Sequence, residues 1–336
     1  MSLRIRITGL LLVLALLTAA CKATPTAVPI PPTRVPPSPT AAPSPTAIPP
    51  SATPRPTTPP PTPEGTATPA ATPQPTATAT RLMTPTPEPH IILSTVSSQA
   101  DTPGLLHVAG RAQVFEATLS LRLRTVDGKL IASGVTRVSR GAPDWGELAV
   151  DIVYPPPAQE QRAVLEAFEE SMKDGSEQNL VSMAVILHPA PELAQWKAYT
   201  NPVFSFQVCY PPTWFLNQGT FGPPPPDTTK FSTYSATAEV RTLGTGDAEV
   251  WIGASDTPSL AEMQDLEAKG YQKRLLVVAG RSAVRYTDSS PHHGIYDVVY
   301  TVSGTWEYRI HLSAASHAFD ATFNLLLSTL TLPGAE

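Results

Sequence analysis

A long tract of proline, threonine, alanine and serine near the start of the chain limits what the rest can fold into. It runs from Lys22 to Pro89 and holds more than half of the 40 prolines in the sequence. A composition this poor in large apolar residues cannot bury a core. The sequence therefore predicts a disordered linker over residues 21–89. About 245 residues remain, which is a comfortable length for two domains.

The residues before the tract have the parts of a bacterial export signal. Two arginines lie within the first six residues, and Ile7–Leu17 is an apolar run too short to span a bilayer comfortably. The run ends in Leu17-Thr18-Ala19-Ala20-Cys21, which resembles the bacterial lipobox. This resemblance implies that residues 1–20 are a lipoprotein signal peptide and that Cys21 carries a lipid anchor on the extracytoplasmic face of the cell membrane. The alternative is an ordinary secretory signal or an uncleaved anchor.

Two roles fit the proline tract. As a spacer, it would lift the folded part away from the membrane, and its threonines could accept O-linked sugars. As a ligand, its Thr-Pro repeats would bind a partner domain that recognises proline motifs. The repeats lack flanking basic anchors, which favours the spacer.

Charge and motif content exclude several functions. The formal net charge is −5 and there is no basic tract, which argues against nucleic-acid binding. The sequence has no Gly-x-Ser-x-Gly elbow, no phosphate-cradling loop and no Cys-x-x-Cys pair. We therefore expect no catalytic activity and no cofactor.

The chain has only two cysteines. If Cys21 is acylated, Cys209 has no partner within the monomer, which predicts a free thiol and no disulfide. No histidine lies near Cys209 in sequence, so a nucleophilic role is not favoured.

Residues 90–189 show the period-2 alternation of β-strands. Ala117–Arg124 alternates apolar and polar residues, Asp127-Gly128 supplies a tight turn, and Lys129–Ser139 can return antiparallel. Further strands are predicted at Leu148–Tyr154, Arg162–Phe168 and Leu180–Leu187. About seven short strands in a hundred residues predict an all-β sandwich.

Three motifs in this segment, in this order, resemble the bacterial spore germination immunoglobulin-like domain. They are Gly110–Ala117, Arg140–Gly146 and Phe168–Ser176. The resemblance implies an immunoglobulin-like fold on an extracytoplasmic protein of the kind found with germination and sporulation lipoproteins. It brings no catalytic residue with it.

The physical interpretation of these motifs is mainly structural. Phe115 and Trp145 are expected to fill the sandwich core, and Asp144 and Asp174 to shape turns. The alternative is an acidic cluster for calcium or for a basic wall polymer, formed by Glu116, Glu169, Glu170 and Asp174. Their spacing matches no loop with fixed metal-ligand positions.

Residues 195–333 predict an α+β domain with an antiparallel sheet. Its first strand lies in Phe204–Trp214 and its second at Glu249–Ala254. Ser259–Lys269 is a predicted helix, with a capping box formed by Ser259 and Glu262 and an apolar stripe formed by Leu260, Met263 and Leu266. A meander follows at Arg274–Val278, Ser282–Thr287, Ile295–Val302 and Thr305–Leu312. A final helix is predicted from the helical spacing of Phe319, Phe323, Leu326, Leu327 and Leu330.

The two ends of this segment resemble PsbP-like domains of other bacterial lipoproteins. The matching residues are Phe204–Gln207 and Tyr210–Trp214 at the start and Leu326–Leu330 at the end. The resemblance implies a role in binding or assembly at a membrane surface.

A histidine pair, His292-His293, is the main candidate for metal binding. His311, His317, Asp288 and Asp297 lie near it in sequence. Adjacent histidines on a loop point in different directions, and the usual ligand spacings are absent, so no metal site is predicted.

The sequence thus predicts a membrane-anchored lipoprotein with a non-catalytic recognition or scaffolding role in the cell envelope. Its expected partners are the membrane, through the lipid, and a cell-wall polymer or an envelope protein. One alternative is a sporulation or germination lipoprotein. Another is a metal-binding protein or a hydrolase centred on the C-terminal domain.

Overall fold

The computed structural model describes residues 89–218, 228–235, 242–288 and 295–334. The predicted signal peptide, Cys21, nearly all of the proline tract and His292-His293 lie outside these residues. The described residues belong to one compact unit and form mostly β-structure, as the sequence predicts.

Seven strands make up the first part of this unit. They are β1 (Ile91–Ser98), β2 (Leu105–Ala112), β3 (Thr118–Thr125), β4 (Leu130–Arg137), β5 (Gly146–Val153), β6 (Gln161–Glu170) and β7 (Glu177–Leu187). The second part contains β8 (Lys197–Thr200), β9 (Gln207–Tyr210), β10 (Phe215–Gln218), β11 (Thr229–Ser232), β12 (Ala248–Ser255), α1 (Leu260–Ala268), β13 (Gln272–Val278), β14 (Arg281–Thr287), β15 (Ile295–Ser303), β16 (Trp306–Ala314) and α2 (Asp320–Ser328).

The first part is a sandwich of two sheets around one apolar core. One sheet has the strand order β4-β3-β6-β7, and the other contains β1-β2-β5. Strand β3 shows why the sequence folds this way. Leu119, Leu121 and Leu123 face the core, while Arg122 on the other face donates to Glu166 and Glu177 at 2.5 Å. The predicted Asp127-Gly128 turn is present, and Gly128 adopts a φ of +87° there.

The β1-β2-β5 sheet continues into the second part of the unit. Strand β5 pairs in parallel with β13, with Ile152 opposite Val277. This pairing gives one ten-stranded sheet in the order β1-β2-β5-β13-β14-β15-β16-β12-β11-β10. Val277 is 1% exposed and belongs to the sandwich core, although it lies in β13. The sheet therefore contains strands from both residues 90–189 and residues 195–333, which the sequence predicts as separate domains.

Helices pack on both faces of the second part of the sheet. On one face, α2 buries Phe323, Leu326 and Leu327 against the core strands, as its helical spacing predicts. On the other face, α1 buries only Leu266, which contacts the tyrosine cluster of β14 and β15.

The predicted details of α1 are wrong at two points. Leu260 is 63% exposed and outside the core, so the three-residue apolar stripe does not form. Ser259 makes no side-chain cap, and its backbone N–H instead donates to Glu307 Oε1 at 2.9 Å. A carboxylate from a distant strand thus satisfies the helix terminus.

The predicted strand at Phe204–Trp214 is shorter in the structure. Only Gln207–Tyr210 is extended, and it pairs with β8 in a two-stranded sheet. Ser205 adopts a φ of +56°, which interrupts an extended strand. Phe204 and Phe206 are nevertheless buried in the core.

Phe115 and Trp145 do not fill the sandwich core as predicted. Phe115 is 54% exposed, and Trp145 is half-buried with the guanidinium carbon of Arg111 4.9 Å from its ring centroid. Because a surface cation–π contact contributes less than core packing, Trp145→Ala should lower the free energy of unfolding by only about 1 kcal/mol. Denaturant unfolding monitored by circular dichroism tests this value, and a loss of about 3 kcal/mol or more would place the ring in the core.

Candidate functional site

A cavity of about 750 Å³ opens on the face of the sheet that carries α1. Side chains of β12 and β16 that point away from the core form its floor. In β12, Val250 and Ile252 face the core, while Glu249 and Trp251 face the cavity. In β16, Ile310 and Leu312 face the core, and the cavity receives Glu307, Arg309, His311 and Ser313.

Three rings form a continuous aromatic surface in this cavity. The ring centroids of Trp251 and His311 are 5.9 Å apart, and those of His311 and Tyr296 are 5.6 Å apart. The ring planes are tilted by 50° and 39°. The strand register explains why these rings are close. His311 lies opposite Trp251 of β12 and opposite Val298 of β15, and Tyr296 is two residues before Val298 on the same face of β15.

Each carboxylate that lines the cavity already has a partner within the protein. Glu262 on α1 accepts a hydrogen bond from Arg309 Nη1 at 2.5 Å. Glu307 accepts one from the Ser259 N–H. Glu249 accepts one from the hydroxyl of Tyr234 at 2.5 Å and lies 3.6 Å from Lys230 Nζ. The site is rich in charge but holds no isolated anion among these three residues.

His311 is the exception in this network. Its Nδ1 is buried and has no hydrogen-bond partner among the described residues. Burial, and then the positive charge of Arg309, lower the pKa of His311 to about 3. The imidazole is therefore neutral at physiological pH and presents an unused polar atom.

The depressed pKa makes stability depend on pH. In the unfolded chain His311 has an ordinary pKa of about 6.5. Below that pH the imidazole is protonated in the unfolded state but stays neutral in the folded state. Above pH 6.5 this difference has little effect on the free energy of unfolding, and by pH 5 it lowers that free energy by about 2 kcal/mol. The free energy of unfolding, measured with urea, should decrease less between pH 7 and pH 5 in His311→Gln than in the parent protein. Equal losses would show that the imidazole can be protonated in the folded state.

Burial also raises the pKa of Tyr296, to about 12, with a further contribution from the nearby charge of Glu262. Burial and the charge of Glu262 also raise the pKa of Tyr300, which lies four residues after Tyr296 on the same face of β15. Both hydroxyls stay protonated at physiological pH and can donate hydrogen bonds.

The structure separates most of the histidines and aspartates that were considered as metal ligands. Asp297 pairs with Arg285 on the α2 side of the sheet, and His317 contacts Asp320 at 2.7 Å on the surface. His311 lies on the opposite face of the sheet. Within the described ranges, no three His, Cys, Asp or Glu side chains are placed to hold a metal ion.

The acidic residues of the first part have local structural roles. Glu169 accepts from the Phe115 N–H at 2.6 Å, and Glu170 accepts from the Ser120 hydroxyl at 2.8 Å. Asp174 accepts from the N–H and the hydroxyl of Ser176, which is the turn role predicted for it.

Cys209 differs from its prediction. It is disulfide-bonded in the structure, so the prediction of a free thiol is wrong.

The sequence interpretation missed the cavity as a site. His311 was considered only as a metal ligand, and Trp251, Glu249, Tyr296 and Arg309 were not considered. A signal was present, because the alternation of β12 and β16 places polar and aromatic residues together on the face away from the core. What the strands alone could not reveal is that they are adjacent and that α1 covers only part of this face.

Residues 94–176 match the immunoglobulin-like domain of bacterial spore germination. This germination-type domain spans β1 to β6 and contains all three motifs that carry the resemblance, which is thus confirmed. Two glycines of those motifs have a visible steric role, because a Cβ on Gly110 would lie 2.2 Å from the Ile92 carbonyl oxygen and one on Gly146 would lie 2.3 Å from that of Arg140.

The chain is also similar to the solution structure of cyanobacterial PsbP (CyanoP) from Synechocystis sp. PCC 6803. The identity is 14%, the match covers 41% of this chain and 92% of that chain, and the TM-score is 0.30. None of the curated proteins compared matches the chain in sequence. No helix among the described residues has the length and apolar composition needed to cross a membrane.

Proposed function

We propose that this protein is a membrane-anchored extracytoplasmic lipoprotein with a non-catalytic recognition or scaffolding role in the cell envelope of a spore-forming bacterium. The match of residues 94–176 to the germination-type immunoglobulin-like domain carries the proposal. The lipobox-like residues before Cys21 and the proline tract after it support the proposed anchor and stalk, and the proposal requires that the Cys21 sulfur carries the lipid and forms no disulfide.

The continuous ten-stranded sheet supports a scaffolding role. Strand β5 hydrogen-bonds to β13, and Ser282 Oγ of β14 also donates to the Val135 carbonyl of β4. A partner bound on one part of the unit would therefore be held in a fixed orientation relative to the other part. The unit would act as one rigid body at the end of the stalk.

Membrane fractionation tests the anchor. The full chain is expressed in a spore-forming Gram-positive host, and membrane and medium are assayed for Cys21→Ser and, as the matched control, Cys209→Ser. We expect Cys21→Ser to appear in the medium and Cys209→Ser to stay with the membrane, with an intact mass that includes a diacylglycerol group. Membrane retention of Cys21→Ser, or release of Cys209→Ser, would contradict lipid anchoring at Cys21.

Envelope capture tests the recognition role. Native envelope is incubated with the full chain in detergent micelles, and bound protein and glycan are identified by mass spectrometry. A saturable envelope component is expected. Its absence at all protein concentrations would contradict recognition.

A direct role in germination is the second candidate, favoured by the same family match. Deletion of the gene in its own host should slow the loss of spore refractility after a germinant is added. Germination at the parental rate would remove this candidate. It would leave the envelope role intact.

A further inference from the structure

We propose that the cavity formed by Trp251, Tyr296 and His311 binds an uncharged sugar of an envelope glycan. This inference rests on the proposed recognition role and names its ligand class. The volume of about 750 Å³ lies within the range of small-molecule sites, about 300–1,000 Å³.

The aromatic side chains of the cavity suit the apolar face of a sugar ring. One face of a pyranose ring carries mainly C–H groups, and such a face packs well against aromatic rings. Trp251, His311 and Tyr296 line the cavity as neighbouring rings, with centroids 5.9 Å and 5.6 Å apart, and can pack against these C–H groups. Trp and Tyr also combine a large apolar area with a polar tip, which suits a ligand that is apolar on its faces and polar at its edge.

The polar side chains of the cavity suit the hydroxyl groups of a sugar. Sugar hydroxyls both donate and accept, and the cavity lining offers both kinds of partner: carboxylate oxygens on Glu249, Glu262 and Glu307 and a guanidinium on Arg309. His311 Nδ1 is buried without a partner among the described residues, and a buried polar atom left unpaired costs free energy. A ligand hydroxyl that reaches Nδ1 after a small shift of the imidazole would supply the missing hydrogen bond.

The charges of the cavity disfavour a strongly charged ligand. Three carboxylates line the cavity, which disfavours a phosphate or another anion. Glu262 is paired with Arg309 and Glu249 lies near Lys230, while Glu307 accepts a hydrogen bond from a backbone N–H. A basic side chain thus offsets the charge of two of the three carboxylates, which weakens the attraction of the cavity for an ammonium group. A neutral, hydroxyl-rich ligand satisfies these conditions together.

Isothermal titration of the full chain in detergent micelles tests the inference. The probes are maltotriose and the trisaccharide of N-acetylglucosamine, both neutral, and the deacetylated form of the second, which is cationic. We expect at least one neutral probe to bind with a Kd of about 1 mM or tighter. Trp251→Leu, which keeps an apolar side chain but removes the ring, should weaken binding at least tenfold.

Trp306→Leu is the matched control because this tryptophan lies on β16 but packs on Phe204, with ring centroids 5.0 Å apart. It should bind the probe as the parent does. His311→Gln provides a second variant, and ¹⁵N chemical shifts of the His311 ring should move at Nδ1 when the probe binds.

The inference is overturned if neither neutral probe binds, if Trp251→Leu and Trp306→Leu behave alike, or if only the cationic probe binds. The last result would indicate an ammonium site. None of these results affects the fractionation of Cys21→Ser or the capture of envelope components, so failure of the sugar site is distinguishable from failure of the proposed function.

Discussion

Replacing Asp297 by alanine is expected to lower the free energy of unfolding by about 3–5 kcal/mol. Asp297 is 2% exposed and Arg285 is 8% exposed. Arg285 Nε lies 2.9 Å from both carboxylate oxygens of Asp297, and its Nη1 donates to Asn324 Oδ1 of α2 at 2.8 Å. The pair thus joins β14, β15 and α2. Removing the carboxylate leaves a guanidinium buried without its counter-charge.

A double variant separates the pair from its surroundings. Arg285→Met with Asp297→Leu removes both charges and keeps similar volume, and such replacements of buried pairs are often neutral or stabilising. The double variant should therefore recover most of the stability lost in Asp297→Ala. Both are measured by urea unfolding at pH 7. A loss below about 1 kcal/mol in Asp297→Ala would show that water reaches the guanidinium.

Replacing Val277 by aspartate should have an effect of comparable size at the junction of the two parts. Val277 lies in β13, opposite Ile152, and is 1% exposed. A Cβ on Gly134 of β4 would lie only 2.5 Å from Val277 Cγ1, so no space for water is available there. A carboxylate at this position has no partner and should cost about 4 kcal/mol or more.

The way in which Val277→Asp unfolds tests whether the two parts fold together. If the shared sheet couples them, near-ultraviolet signals from Trp145 in the first part and from Trp251 in the second should be lost at the same urea concentration. Single substitutions of each tryptophan assign these signals. Val302→Asp is the control, because Val302 is 54% exposed in the same sheet. Two separate transitions, with only one of them shifted, would contradict a single cooperative unit.

Patterns that depend on near neighbours were predicted correctly. Strand β3 and the Asp127-Gly128 turn follow from alternation and from glycine's access to positive φ. Helix α2 follows from the spacing of Phe323, Leu326 and Leu327. In each case, the residues that decide the structure lie within a few positions of one another.

Features that depend on distant residues were predicted poorly. The sequence predicts Trp145 in the sandwich core, but the ring lies at the surface with Arg111 over it. Ser259 was assigned a local cap, but Glu307 of a distant strand provides the acceptor. Burial and hydrogen-bond partners of this kind are set by the packing of elements far apart in sequence.

The sequence by itself determined the proline tract, the germination-type immunoglobulin-like domain and most strands, because composition, motifs and periodicity are local properties. Only the tertiary structure decided that β5 pairs with β13, that Val277 completes the core of the first part, and that Trp251, Tyr296 and His311 share one cavity. The residues of a strand do not by themselves specify which other strand will pair with its edge. That choice depends on burying the apolar faces of both parts at once.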